Sequence, residues 1–168
     1  QLNNDTELLT PNWLQEMLGF AQRDDVGAVG AELFYPDNTI QHAGIIIGIG
    51  GVAGHVFKNL PKGIHGYFSK DAMIQNLSAV TAACIMTPKS IYDEVGYMDE
   101  KFKVAFNDVD FCLKIRQTGK LIVYNPYVQF THYESKSRGF EDTPEKKKRF
   151  QSEVDRFHDK WQSVLDKG

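Results

Sequence analysis

The 168-residue sequence has few cysteines, and neither positive nor negative charge is in large excess. Its two cysteines, Cys84 and Cys112, are far apart and show neither zinc-ligand spacing nor a disulfide framework. We therefore expect two buried free thiols in a reducing compartment. The 19 Lys and Arg residues against 22 Asp and Glu residues leave a net charge of −3. Because nucleic-acid binding depends on a basic excess, we expect no nucleic-acid partner.

The sequence also lacks a long apolar run. The longest, over residues 43–54, contains five glycines and is far shorter than the roughly 20 apolar residues that span a bilayer. We predict no transmembrane segment. We expect a cytoplasmic location, which includes a location at the inner face of the membrane. With 42% hydrophobic and 24% charged residues, the composition is that of a globular protein. We expect residues 1–168 to form a single α/β domain.

Apolar spacing and turn residues predict the order of helices and strands. Thr10 followed by Pro11 predicts a helix start with a hydroxyl N-cap. The continuous apolar segment 79–86 suits a strand that is buried on both faces. The glycine-dense stretch between Gly27 and Gly66 indicates irregular connections or a long functional loop. Further predicted elements are a hairpin over 26–47, a helix over 88–95, a helix from Asn107 to Gly119, a strand over 121–124 and an amphipathic helix over 141–167.

Two acidic segments each have a structural and a functional interpretation. Residues 3–7, Asn-Asn-Asp-Thr-Glu, are turn formers, but an acidic residue at a strand end also faces the ligand crevice of an α/β sheet. In residues 107–110, Asn107 can cap a helix whose dipole favours the aspartates. Asp108 at this position can also accept a proton from a hydroxyl group.

The sequence indicates a functional role more strongly for some of the five histidines than for others. His132 lies in the polar segment 131–139 and is either a hydrogen-bonded structural residue or a ligand. His42 and His55 flank the glycine-rich stretch and are weaker candidates. His65 and His158 are expected to be surface residues.

A set of segments, taken in order, carries a resemblance to a known family. They are residues 2–7, then 26–31 and 37–44, then 78–84, 94–100 and 107–114, and finally His132 with Ser137-Arg138-Gly139. In this order they resemble a metal-binding DxD strand end, the hairpin after it, an acceptor-side core with an ED motif, and a C-terminal histidine loop. Together, from Leu2 to about Trp161, they resemble the C-terminal half of a family 2 glycosyltransferase of the GT-A fold.

The resemblance implies the fold and several residue roles. It implies an α/β fold with a mixed sheet flanked by helices, the metal- and acceptor-side portion of a GT-A domain. Asp5 takes the place of the last DxD residue and hence of a metal ligand, with His132 as a second protein ligand. Asp108 takes the place of the catalytic base. The implied cofactor is Mn²⁺ or Mg²⁺.

Donor contacts are implied as well. Asn3 and Arg138 are placed against the nucleotide-diphosphate sugar, since a guanidinium matches phosphate oxygens in a two-pronged contact. Asn3 and Asn107 stand where the family pattern usually has an aspartate and a glutamate. The nucleotide-recognising half of such an enzyme would precede Gln1, so we expect this chain alone to transfer little or no sugar.

The predicted reaction is inverting, metal-dependent transfer of a sugar to a glycan or polysaccharide acceptor. The metal would stabilise charge on the leaving diphosphate, and the carboxylate of Asp108 would deprotonate the acceptor hydroxyl. Inversion needs no enzymic nucleophile, which agrees with inert cysteines. The alternatives are a non-catalytic glycan-binding or assembly remnant of such a domain and, third, a metal-dependent hydrolase.

Overall fold

The computed structural model describes residues 1–133 and 143–167. In them the chain is α/β, with a mixed, curled sheet flanked by helices. The strands are β1 (Thr6–Leu8), β2 (Val26–Phe34), β3 (Ile40–His42), β4 (Ile45–Ile47), β5 (Ala53–His55), β6 (Gln75–Asn76), β7 (Ile85–Met86) and β8 (Leu121–His132). The helices are α1 (Trp13–Ala21), α2 (Lys89–Glu94), α3 (Asn107–Gln117) and α4 (Pro144–Leu165), with 3-10 turns at Ile49–Gly51 and Tyr67–Ala72.

Two long strands, β2 and β8, form the centre of the sheet and run parallel. β1 and β6 pair antiparallel with the outer edge of β8, while β3 and β7 pair antiparallel with the outer edge of β2. The register of β8 breaks where Ala31 pairs with Asn125 and the next residue, Glu32, pairs with Gln129. Such a bulge re-aims the strand. The C-terminal end of β8 therefore runs beside β1, and β4 and β5 form a separate two-stranded sheet.

Each face of the sheet carries its own hydrophobic core. The face covered by α1 is filled by Met17, Ala21, Val29, Leu33, Val123 and Phe130. The face covered by α3 and α4 is filled by Ala28, Phe34, Phe111, Ile115, Ile122, Phe157 and Trp161, among others. Burying apolar area on both sides, at about 25 cal/mol per Å², is the main source of stability for this layered arrangement.

The first helix starts later than the sequence predicts. α1 begins at Trp13 with Asn12 at the N-cap position, and no side chain caps it. The Thr10 hydroxyl instead accepts a hydrogen bond from the Gln129 amide of β8, at 3.0 Å. The predicted Thr10 cap is therefore wrong, because a tertiary partner takes the hydroxyl.

The start of α3 also differs by one residue. Phe106, with φ of 63°, occupies the N-cap position, and Asn107 is the first helical residue. The Asn107 side chain accepts from the Asp108 amide at 2.7 Å rather than capping from outside the helix. At α4 the hydroxyl of Thr143 caps the helix by accepting from the Lys146 amide. The amphipathic pattern is confirmed over Pro144–Leu165, whereas its predicted start, at 141–142, lies outside the described residues.

The apolar segment 79–86 is buried as predicted, but only Ile85 and Met86 pair as a strand. The rest is irregular and lies close to the central strand. A Cβ added at Gly30 of β2 would come within 2.4 Å of Val80. Glycine at position 30 thus lets this segment approach the backbone of β2.

The cysteines behave as predicted. Cys84 and Cys112 are free and buried. Burial raises the pKa of each thiol to about 12, so neither is a thiolate at neutral pH. Among the described residues no helix has the length and apolar character needed to cross a bilayer.

The buried carboxylate of Glu153 organises the turn that leads into α3. Only 2% of this residue is exposed, and its two oxygens accept hydrogen bonds from the amides of Lys103, Val104 and Ala105 at 2.9–3.2 Å. Hydrogen bonds to a charged group are the stronger class. Glu153 thereby connects α4 to the residues that precede Asp108.

We expect Glu153→Gln to lower the free energy of unfolding by about 2–3 kcal/mol. The glutamine side chain is uncharged, and its NH₂ group would stand where a carboxylate oxygen now accepts from backbone amides, so that two donors would face each other. Urea denaturation measures the change. Glu145→Gln, an exposed change on the same helix, is the matched control and should cost no more than about 1 kcal/mol. Equal losses in the two variants would contradict the role assigned to Glu153.

Candidate functional site

The turn before β1 and the end of β8 bring Asp5 and His132 together. The sheet register pairs Thr6 with His132, and the Tyr133 amide donates to the carbonyl of Asp5 at 2.9 Å. Asp5 Oδ1 lies 3.2 Å from His132 Nε2. Asp5 therefore precedes a strand rather than following one, and the pair is positioned by the β1–β8 register.

A glutamine fixes the orientation of the His132 ring. Nδ1 of His132 lies 2.6 Å from the Gln41 side-chain oxygen, and the Gln41 amide nitrogen reaches the His132 carbonyl at 3.4 Å. An amide oxygen only accepts, so Nδ1 carries a hydrogen, and Nε2 is the ring nitrogen that faces Asp5. Histidines that ligate metals have this arrangement, with the other ring nitrogen donating to an oxygen.

The separation of the two donor atoms fits one cation. Two ligands about 2.1 Å from a metal and at right angles to each other are about 3 Å apart, and Asp5 Oδ1 and His132 Nε2 are 3.2 Å apart. The Asn3 side-chain amide lies 3.4 Å from the same His132 nitrogen. Within residues 1–133 and 143–167, no group of three or more His, Cys, Asp and Glu side chains is arranged to hold a metal. The candidate ligands in the described part of the chain are thus only the pair Asp5 and His132.

Asp108 lies in the first turn of α3 and is half-buried. Its Oδ2 accepts from the Ala82 amide at 3.3 Å and its Oδ1 from the Val109 amide at 2.9 Å. The helix N-terminus also favours a negative charge here. The carboxylate is therefore held in one orientation by the irregular segment after Ala79.

One short segment connects Asp108 with the Asp5–His132 pair. We call Thr81, Ala82 and Ala83 the 81–83 bridge. Its Ala82 amide donates to Asp108, and its Ala83 carbonyl accepts from the Asn3 amide at 2.9 Å. The structure therefore attaches the predicted base Asp108 and the predicted donor contact Asn3 to neighbouring peptide groups, and the Asn3 side chain in turn lies against His132. Arg138, the other predicted donor contact, lies outside the described residues.

Sequence reasoning missed Gln41 and Glu32 and ranked His42 only as a weaker candidate. Gln41 and His42 are both buried on β3, inside a segment that carried the family resemblance, but no polarity pattern distinguished them. Glu32 had a usable signal, since it is a carboxylate within the otherwise apolar segment 26–34. His65 is exposed and pairs with Asp71 at 2.9 Å.

The buried Glu32 carboxyl has an altered acidity. It is 5% exposed, and one oxygen accepts from the Gln129 side chain at 2.8 Å. Burial raises its pKa to about 7, although hydrogen bonds from Gln129 and Tyr124 oppose the shift. In the unfolded chain the carboxyl titrates near 4.5. Folded Glu32 therefore keeps a proton that the unfolded chain has lost between these two pH values.

We expect this proton to make stability depend on pH. Stability from Glu32 is fully present below about pH 4.5 and is lost as pH rises towards 7, by on the order of 3 kcal/mol. Glu32→Gln does not titrate, so the difference in unfolding free energy between wild type and variant should change across this window. Urea denaturation at several pH values measures it. Glu100→Gln, at an exposed position, should keep the wild-type slope, and a Glu32→Gln protein that also kept it would refute the assignment.

Comparison with known proteins gives two informative similarities. No protein-family model matches the chain. It is 50% identical over 163 residues to the uncharacterized protein y4gI of Sinorhizobium fredii (strain NBRC 101917 / NGR234), covering 96% of this chain and 18% of that protein. It is 39% identical over 145 residues to the O-antigen biosynthesis protein RfbC of Myxococcus xanthus, covering 86% of this chain and 11% of that protein. The chain therefore spans less than a fifth of the length of the curated relatives that it matches, and the name of the second suggests an enzyme of polysaccharide biosynthesis.

Proposed function

We propose that the chain is the metal- and acceptor-side part of a family 2 glycosyltransferase with the GT-A fold. It would transfer a sugar, with inversion, from a nucleotide-diphosphate donor to a glycan or polysaccharide acceptor in the cytoplasm. The observation that carries the proposal is His132 Nε2 facing Asp5 Oδ1 at 3.2 Å, with Nδ1 held by Gln41. The O-antigen biosynthesis name of one relative supports the substrate class.

Asp5 and His132 would hold Mn²⁺ or Mg²⁺. When bound, the metal would stabilise negative charge on the leaving diphosphate. An imidazole among oxygen ligands suits Mn²⁺ at least as well as Mg²⁺. Gln41 keeps the imidazole in the tautomer that can ligate, and Asn3 and Arg138 would contact the donor.

Asp108 would act as the general base. An inverting transfer needs one carboxylate to take the proton of the acceptor hydroxyl as that oxygen attacks the anomeric carbon. The amides of Ala82 and Val109 hold the Asp108 oxygens and so fix the direction from which the carboxylate meets the hydroxyl. An inverting transfer uses no covalent enzyme intermediate, which agrees with two cysteine thiols that are buried and protonated.

The test is a screen of nucleotide sugars with the full-length protein that contains this chain. We expect Mn²⁺-dependent release of a nucleoside diphosphate with one donor, and its loss in Asp5→Ala. The isolated 168-residue chain should turn over little. Glycan binding that needs no metal, combined with no turnover of any donor, would instead favour the non-catalytic glycan-binding role.

A further inference from the structure

The buried histidine His42 is attached to the backbone that connects the two halves of the candidate site. It is 0% exposed at the end of β3, and its Nε2 accepts a hydrogen bond from the Thr81 amide at 3.3 Å. Its Nδ1 lies 2.9 Å from Nδ1 of His55, which is exposed on β5. His42 therefore links the β4–β5 hairpin to the 81–83 bridge through its two ring nitrogens.

These two contacts fix which nitrogen of each ring carries hydrogen. An amide N–H only donates, so Nε2 of His42 is unprotonated and its hydrogen is on Nδ1. This N–H donates to His55 Nδ1, which leaves the His55 hydrogen on Nε2. Burial and the neighbouring His55 lower the pKa of His42 well below its usual value, so the ring stays neutral and keeps its acceptor.

The 81–83 bridge is held at three neighbouring peptide groups. The Thr81 amide donates to His42, and the Ala82 amide donates to Asp108. The Ala83 carbonyl accepts from the Asn3 amide. The bridge is also held upstream, where Ile45 of β4 and Ala79 exchange two backbone hydrogen bonds of 2.9 and 3.3 Å. β4 pairs with β5 and places His55 against His42. The glycine-rich region thus forms one unit that holds the bridge.

We propose that His42 is a positioning residue that sets the spacing between Asp108 and the Asp5–His132 pair by holding the 81–83 bridge. The inference rests on the proposed function and deepens it, because it assigns the glycine-rich hairpin to that same site. The side-chain hydrogen bonds of His42 go to Thr81 and His55, and not to Asp5, His132 or Asp108. Its loss should therefore change the rate of transfer and not the binding of metal or donor.

The test compares His42→Leu with His42→Gln in the full-length protein. Leucine fills the space without an acceptor, whereas the glutamine side-chain oxygen can accept from the Thr81 amide. Hydrogen–deuterium exchange with residue-level fragmentation should show faster exchange at Thr81 and Ala82 in His42→Leu, by about tenfold, the size of one lost hydrogen bond. The His42→Gln protein should recover most of the protection. His158→Leu, on α4, is the control and should leave these amides unchanged.

Kinetics then separate positioning from a purely structural role. We expect His42→Leu to lower kcat by at least about tenfold while the KM for the donor and the Mn²⁺ affinity stay within about twofold, and His42→Gln to restore kcat. Unchanged exchange at Thr81, or faster exchange with an unchanged kcat, would overturn the inference. A wild-type protein that transfers no sugar would overturn the proposed function, and the exchange result alone would then decide whether His42 holds the bridge.

A variant of the exposed partner covers the case in which His42→Leu does not fold. His55→Gln keeps an acceptor for the His42 Nδ1 hydrogen, whereas His55→Leu leaves that hydrogen without an acceptor and so weakens the hold on the His42 ring. Because His55 is exposed, both proteins should fold. Faster exchange at Thr81 in His55→Leu than in His55→Gln supports the inference, and equal exchange in the two contradicts it.

Discussion

Asp108→Asn is expected to lower kcat for sugar transfer by about 10²–10⁴-fold, the contribution of a general base. The substitution is nearly isosteric and keeps one side-chain oxygen to accept from the Ala82 amide, so the fold and the 81–83 bridge should persist. What it removes is the ability to take a proton from the acceptor hydroxyl. The measurement is steady-state transfer with the donor found in the screen, together with Mn²⁺ affinity, which should not change.

Asp159→Asn, an exposed change on α4, provides the matched control and should retain wild-type kcat. An Asp108→Asn protein with wild-type turnover would remove Asp108 from the chemistry. A loss of Mn²⁺ affinity equal to that of a ligand variant would show that Asp108 belongs to the metal site instead.

The second large effect concerns the metal pair. Asp5→Ala and His132→Ala should each lower Mn²⁺ affinity by more than about 100-fold, because removal of an outer partner alone typically costs about 10–100-fold. Gln41→Leu, which removes such an outer partner of His132, should fall in that 10–100-fold range. Isothermal titration with Mn²⁺ measures all three.

The matched control is His158→Ala, a histidine on α4 that contacts Gln162 and not the site. It should bind Mn²⁺ as the wild type does. The contrary outcome has a distinct physical meaning: if His132 and Asp5 pair only with each other, then Mn²⁺ affinity will be weak in the wild type and no weaker in Asp5→Ala.

Local sequence patterns predicted the elements whose causes are local. The apolar stripe of α4 contains Phe157 and Trp161, both buried, and its spacing alone indicated a helix. The hairpin turn at Asp37 follows from an aspartate whose side chain accepts from the Thr39 amide and hydroxyl. Thr10 was mispredicted because the acceptor it satisfies, the Gln129 amide, comes from a distant strand.

The candidate site is where sequence reasoning reaches its limit. Its residue types were visible, but the proximity of Asp5 to His132 depends on the β1–β8 register, which pairs the first and last strands of the sheet. Gln41 and His42 act through hydrogen bonds to His132 and Thr81, and a single buried glutamine or histidine looks like any core polar residue in a sequence. Such residues become identifiable only when their partners are known.

The most direct test of the account is a crystal structure of the full-length protein with Mn²⁺ and a nucleoside diphosphate, using the anomalous scattering of manganese. We predict an anomalous peak within bonding distance of both His132 Nε2 and an Asp5 carboxylate oxygen, with Gln41 still bound to Nδ1. A peak at another location, or His132 paired directly with Asp5 and no manganese between them, would contradict the metal site on which the proposed transferase rests.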